Sequence, residues 1–160
     1  MLGVEEISEQ GQDFLRRAIE LAWEAKRSGN PPFGSLLVDA NGTVLAEMSN
    51  TTVSDQNLSA HPELKLAVWA GRHLSSEQAR ATTMYTSAEN CAMCSGAFAI
   101  AGLGKLVFAL SGDQLREARG TGNLRSSVAI SSRSVLEQAN YPITIVGPAL
   151  PDEGRAVHLP

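Results

Sequence analysis

From about Ser8 to Arg27, the apolar residues Phe14, Ala18, Leu21, Ala22 and Ala25 recur at the spacing of one helical face. This pattern predicts an amphipathic helix, stopped by Gly29-Asn30-Pro31-Pro32. Phe33 to Val38 is a short apolar run suited to a buried strand. Asp39-Ala40-Asn41-Gly42 is a turn signal, and Thr43 to Met48 reads as the returning strand of a hairpin. Ser49 to Ala60 is polar and aperiodic, which predicts a loop long enough to carry function. Pro62 to Gly71 predicts a helix, with proline tolerated in its first turn and Leu64, Ala67, Val68 and Gly71 on one side. Ser75 to Arg80 is a short polar stretch, and Thr82 to Thr86 a strand rich in β-formers. Cys91 to Ala101 predicts a second helix, made largely of small residues and ended by Gly102 or Gly104. Lys105 to Leu110 reads as a strand, Ser111 to Arg119 and Arg133 to Asn140 as helices, and Ile143 to Val146 as a last strand. From Pro148 the chain reads as a Pro-rich tail.

A helix, a hairpin, then strands alternating with helices predict an α/β fold. The expected form is a three-layer α-β-α sandwich: a central mixed five-stranded sheet with helices on both faces. The strand–helix–strand steps imply crossovers between parallel strands. The length of 160 residues suits one domain over 1–160, with 148–160 as a C-terminal tail.

Charge narrows the partners. The net charge of −4 and the three lysines, Lys26, Lys65 and Lys105, give little of the basic surface that a long nucleic acid requires. Arg116, Arg119, Arg125 and Arg133 read as scattered arginines on a solvated face. A nucleic-acid partner is therefore not expected. No apolar run is long enough to cross a bilayer, and the acidic, polar start of the chain does not resemble a signal peptide, so a cytoplasmic location is expected.

The only two cysteines, Cys91 and Cys94, form a C-x-x-C pair too close to staple a distant loop. In a reducing compartment they read as metal ligands or a redox pair. A thioredoxin-like redox pair has no use for His61-Pro62-Glu63, which opens the other helix. One histidine and two cysteines make three zinc ligands and leave a coordination position open, the mark of a catalytic Zn2+. Both ligand groups fall at helix N-termini, where the dipole and free N–H groups favour thiolates. The Glu63 carboxylate reaches the open position and can move protons there.

H-x-E followed by C-x-x-C resembles the cytidine and deoxycytidylate deaminase superfamily. Pro32-Phe33-Gly34 and Tyr85-Thr86-Ser87-Ala88-Glu89 place the resemblance with the guanine deaminase, cytosine deaminase and tRNA adenosine deaminase branch. It runs from about Pro31 to Leu110. The resemblance implies that His61, Cys91 and Cys94 bind zinc and that Glu63 shuttles protons. It implies that Asn50 hydrogen-bonds the substrate ring, that Phe33 and Gly34 line the pocket floor, and that Ser87 or Glu89 forms the rim. As a plain reading, Asn50 is a turn residue, Phe33, Trp69 and Phe98 are core, and Met93 packs beside the metal. Two positions depart from the family: Asn90 stands where a proline usually precedes the first cysteine, and is expected as the helix N-cap; Pro62 replaces the usual alanine. His73 is expected to be a solvated helix-end residue and His158 a mobile tail residue, or a pocket residue if the tail folds over the site.

The expected activity is hydrolytic removal of an exocyclic amino group, as ammonia, from cytosine, guanine or a similar aminated ring such as an s-triazine. The alternatives are a tRNA adenosine deaminase and a non-catalytic zinc-binding partner subunit. A small-molecule substrate and, by resemblance, a homodimer are the expected partners.

Overall fold

The computed structural model describes residues 7–120 and 127–160. Helix α1 (Glu9–Arg27) precedes a hairpin of β1 (Gly34–Val38) and β2 (Val44–Ser49). Helices α2 (Pro62–His73) and α3 (Ser76–Arg80) lead to β3 (Thr83–Ala88) and α4 (Ala92–Ala101). Then follow β4 (Lys105–Leu110), α5 (Gly112–Arg119), α6 (Ser132–Leu136), β5 (Thr144–Val146) and α7 (Pro151–Ala156).

Strand alternation decides how the layers meet. Residues along a strand point to opposite faces, so a strand buried on both faces reads as continuous apolar sequence. β1, Gly-Ser-Leu-Leu-Val, is buried at every position. Leu36 and Val38 pack on Ala18 and Leu21 of α1. Leu37 faces the other way, with Met84 of β3, Leu66 and Ala70 of α2, and Phe98 of α4. β4 repeats the device: Leu106 and Phe108 join that second cluster, while Val107 and Ala109 meet Leu15 and Ile19 of α1. One layer thus holds α1 and α7, with α5 packed on α7; the other holds α2, α4 and α6. The sheet order is β2-β1-β3-β4-β5. β1 is antiparallel to β2 and β3, whereas β3, β4 and β5 are parallel. The fold is the expected three-layer α-β-α sandwich around a mixed five-stranded sheet.

The helix ends follow local chemistry. Ser8 caps α1 by accepting from Gly11 N, and Gly102, at φ 81°, closes α4 in the left-handed conformation that glycine adopts without strain. Several boundaries differ from the sequence reading. Ser75 to Arg80 is not merely a polar stretch: Ser75 and Gln78 form a capping box that starts α3. The helix expected over Arg133 to Asn140 ends at Leu136 and gives way to turns. The stretch from Pro148 holds α7, whose Gly154 sits against Ala109, Leu110 and the Ser87 carbonyl. The buried side of α2 is Glu63, Leu66, Ala67 and Ala70, so Val68 and Gly71 face outward instead. Asn90 is not the N-cap of α4; Cys91 takes that position, and Asn90 is buried beside Met84. Met1 to Glu6 and Arg125 lie outside the described residues. No helix among those described is long and apolar enough to cross a membrane.

Candidate active site and metal centre

α2 and α4 pack side by side with their N-termini at the same end. His61 is the N-cap of α2, and Pro62 occupies the first helical turn, where its missing N–H costs nothing. Cys91 is the N-cap of α4 and Cys94 lies one turn in, buried. Neither cap residue uses its side chain to bond the helix, so both side chains are left for other partners.

Those partners are each other. His61 Nδ1 lies 3.4 Å from Cys94 Sγ and 3.7 Å from Cys91 Sγ, and the three donor atoms all fall within 4.8 Å. Tetrahedral zinc bonds to sulfur and imidazole nitrogen set two ligand atoms about 3.5 Å apart. The donor set therefore fits a Zn2+ ion in both chemistry and spacing. Without the ion, the hydrogen bond from Cys94 and the nearby His61 hold the Cys91 thiol down at about 4. The same bond, with burial, keeps the Cys94 thiol protonated. The bond to Cys91 raises the His61 imidazole.

Glu63 lies in the first turn of α2, two residues after His61, and is 5% exposed. Burial pushes its carboxyl above the usual range. Its Oε1 accepts from Thr86 Oγ1 at 2.9 Å, and Thr86 Oγ1 accepts in turn from Ser35 Oγ at 2.7 Å. Ser35 and Thr86 are fully buried on neighbouring strands in matched register. Sequence reading missed this hydroxyl chain. Its one signal was Ser35, a polar residue inside the otherwise apolar, fully buried run of β1.

The remaining predicted residues divide. Asn50 is buried just after β2; its N–H donates to Phe33 O at 3.0 Å. Its Oδ1 accepts from Thr52 N and Thr52 Oγ1, both at 2.9 Å, so the turn reading holds for the oxygen and the amide NH2 is turned elsewhere. Phe33 is half-buried, with the His158 ring at 5.2 Å and the Arg119 guanidinium at 5.1 Å. Gly34 has a packing reason: a Cβ there would stand 2.4 Å from Ala18 O and Leu21 Cβ. Its side faces α1, so only its backbone is left to line a pocket. Its N–H donates to Ser87 Oγ at 3.1 Å, which ties β1 to β3. Glu89 turns its carboxylate to the backbone of Gly112 and Ser132.

His158 is not a mobile tail residue. Lys26 Nζ donates to the carbonyls of Val157 and Leu159 at 2.9 and 2.8 Å, which fixes the chain on either side of it. Its Nε2 is buried with no partner among the described residues. Burial, then the charges of Arg119 and Lys26, push the imidazole down to about 4. Phe98 is core, Trp69 is half-buried against His73, and Met93 is exposed.

Known proteins are similar to this chain. The "Probable cytosine deaminase" of Schizosaccharomyces pombe is 35% identical over 156 residues, 96% of this chain and 93% of that protein. Guanine deaminase of Bacillus subtilis is 36% identical over 87 residues, 54% of this chain and 55% of that protein. In three dimensions, the guanine deaminase of Nitrosomonas europaea superposes with a TM-score of 0.73 over 94% of this chain and 82% of its own, at 23% identity, a likeness of fold. The family described as the cytidine and deoxycytidylate deaminase zinc-binding region matches residues 8–110, and with that match the chain belongs to this zinc-binding deaminase family.

Proposed function

We propose that this protein is a zinc-dependent hydrolytic deaminase that releases ammonia from a free nucleobase or a similar aminated ring of the cytosine, guanine or s-triazine type. The observation that carries the reading is the buried Glu63 carboxylate, in the same first helical turn as His61 of a His61–Cys91–Cys94 donor set that fits zinc. The S. pombe relative, similar along almost its whole length, supports the free-base class.

His61, Cys91 and Cys94 would hold the ion. Bound zinc supplies Lewis acidity and brings the pKa of water to about 7. Glu63 takes a proton from the attacking water and gives it to a ring nitrogen. It then takes the second proton from the hydroxyl now on the ring carbon and passes it to the amino group as the C–N bond breaks, so that water and the amine become a ring carbonyl and ammonia. Ser35 and Thr86 hold the Glu63 carboxylate at a fixed angle for both transfers. Asn50 has its oxygen committed to Thr52, so it offers its NH2 to a ring acceptor such as a carbonyl oxygen. Phe33 would stack beside the ring.

The net charge of −4 favours a small substrate over tRNA, although a tRNA-specific adenosine deaminase of B. subtilis is 31% identical over 99 residues. The presence of Glu63 argues against a non-catalytic zinc subunit. A homodimer is part of the reading: α4 carries no charged residue, and Ile100 on it is 90% exposed. So is a cytoplasmic location.

The test is ammonia release by zinc-loaded protein from cytosine, guanine, adenine, their nucleosides and amino-substituted triazines. Release from one free base supports the reading. Silence across the panel, with RNA retained at low salt, would transfer the activity to an RNA substrate.

A further inference from the structure

The turn between β3 and α4 consists of Glu89 and Asn90 alone, between the strand end at Ala88 and the cap residue Cys91. Whatever fixes Glu89 fixes where Cys91 begins. The Glu89 N–H donates to Leu110 O at 2.8 Å, which pins the turn to the end of β4. Its side chain reaches two further elements. Oε1 accepts from Gly112 N at 3.0 Å. Oε2 accepts from Ser132 N and Ser132 Oγ, both at 2.8 Å.

Gly112 and Ser132 are the first residues of α5 and α6. The first N–H groups of a helix lack an internal partner and form the positive end of its dipole, so a carboxylate is the favoured acceptor. Here the acceptors are divided without overlap. Ser111 caps Gln114 N of α5, and Ser131 caps Ser134 N of α6, which leaves the first N–H of each helix to Glu89. α5 packs with α7 in one layer and α6 with α4 in the other. A single carboxylate therefore ties both helix layers to the two-residue turn that delivers Cys91. An amide could not replace it fully, because one oxygen would become an NH2 group facing another N–H.

We infer that Glu89 is a positioning residue for the metal centre: its carboxylate, shared between the N-termini of α5 and α6, sets the Cys91 thiolate against His61 and Cys94. The inference rests on reading those three residues as metal ligands. Groups that orient metal ligands from behind are worth about 10–100-fold in metal affinity.

The experiment uses full-length protein loaded with cobalt(II), whose thiolate charge-transfer and ligand-field bands report the ligands directly. Chelator competition measures retention. Wild type shows the thiolate band. Glu89→Ala is expected to shift the ligand-field bands and to release the metal about 10–100-fold more readily. Glu89→Gln, which keeps one acceptor oxygen, moves both readouts less and in the same direction. Gln114→Ala, which removes the reciprocal bond of the α5 capping box, lowers thermal stability yet keeps wild-type spectrum and retention. Wild-type spectrum and retention in both Glu89 variants would overturn the positioning role while leaving the ligand set intact. A wild-type protein that binds cobalt without a thiolate band would overturn both.

Discussion

Thr86 Oγ1 donates a hydrogen bond to Glu63 Oε1 at 2.9 Å, between a strand of the central sheet and the first turn of α2. Both residues are buried, so the carboxylate has protein, rather than bulk water, to fix its direction. A hydrogen bond to a charged group is worth about 1.5–3 kcal/mol. Thr86→Val, which keeps the shape and removes the hydroxyl, is expected to lower kcat about 10–100-fold with little change in KM. Thr86→Ser is expected to restore most of it. Steady-state kinetics on the substrate identified by ammonia release check both. Equal kcat values in wild type and Thr86→Val would remove the hydroxyl from the account.

His158 makes the C-terminal turn sensitive to acid. Its folded value lies near 4, below the ordinary 6.5, because burial and two nearby cations disfavour its charged form. Stability from this group is complete above pH 6.5 and falls as pH drops towards 4, because the unfolded chain takes up the proton first. The full loss is on the order of 3 kcal/mol. Thermal melts across this range, wild type against His158→Phe, measure it. The variant is expected to show the shallower dependence on pH, and parallel curves would contradict the assignment.

Gly34→Ala separates packing from function at a position the sequence suggested for the pocket floor. A Cβ there meets backbone atoms of α1, including Ala22 N at 2.6 Å, which cannot move as a flexible side chain would. Overpacking of this kind costs about 2–3 kcal/mol. Urea unfolding is expected to show that loss, with zinc still bound at wild-type stoichiometry. A variant as stable as wild type would mean that α1 and β1 sit further apart than described.

How much was legible in the sequence follows from how local each signal is. His61, Glu63, Cys91 and Cys94 announce themselves because short spacings at helix starts require nothing beyond the first turn. The strands were legible because β1 and β4 are short, mostly apolar runs (Leu36 to Val38 and Leu106 to Leu110), as strands covered on both faces tend to be. The buried side of α2 was not. The apolar residues Val68 and Leu64 suggested one face, but the sheet takes the face that carries Glu63, a polar residue retained there through its bond to Thr86. The family resemblance implies Ser87 or Glu89 as a rim residue, whereas the partners of the Glu89 carboxylate lie 23 and 43 positions away, a pairing no local pattern encodes. α7 was hidden by its composition, since Pro-Asp-Glu-Gly-Arg-Ala is short and has a glycine where Leu110 and Ala109 approach.

Removing the metal is expected to loosen the site without unfolding the sheet. The two core clusters that carry β4 include neither His61 nor either cysteine. Prolonged chelation should therefore lower the melting temperature and leave the far-ultraviolet circular dichroism nearly unchanged. A chain that loses its secondary structure with its zinc would show that the ion, rather than the layered core, holds the fold.

The most direct test compares zinc content and ammonia release in wild type and Glu63→Ala. The account predicts one zinc per chain in both proteins, with ammonia release from a free base in wild type alone. Ammonia release that survives in Glu63→Ala, with zinc bound, would contradict it.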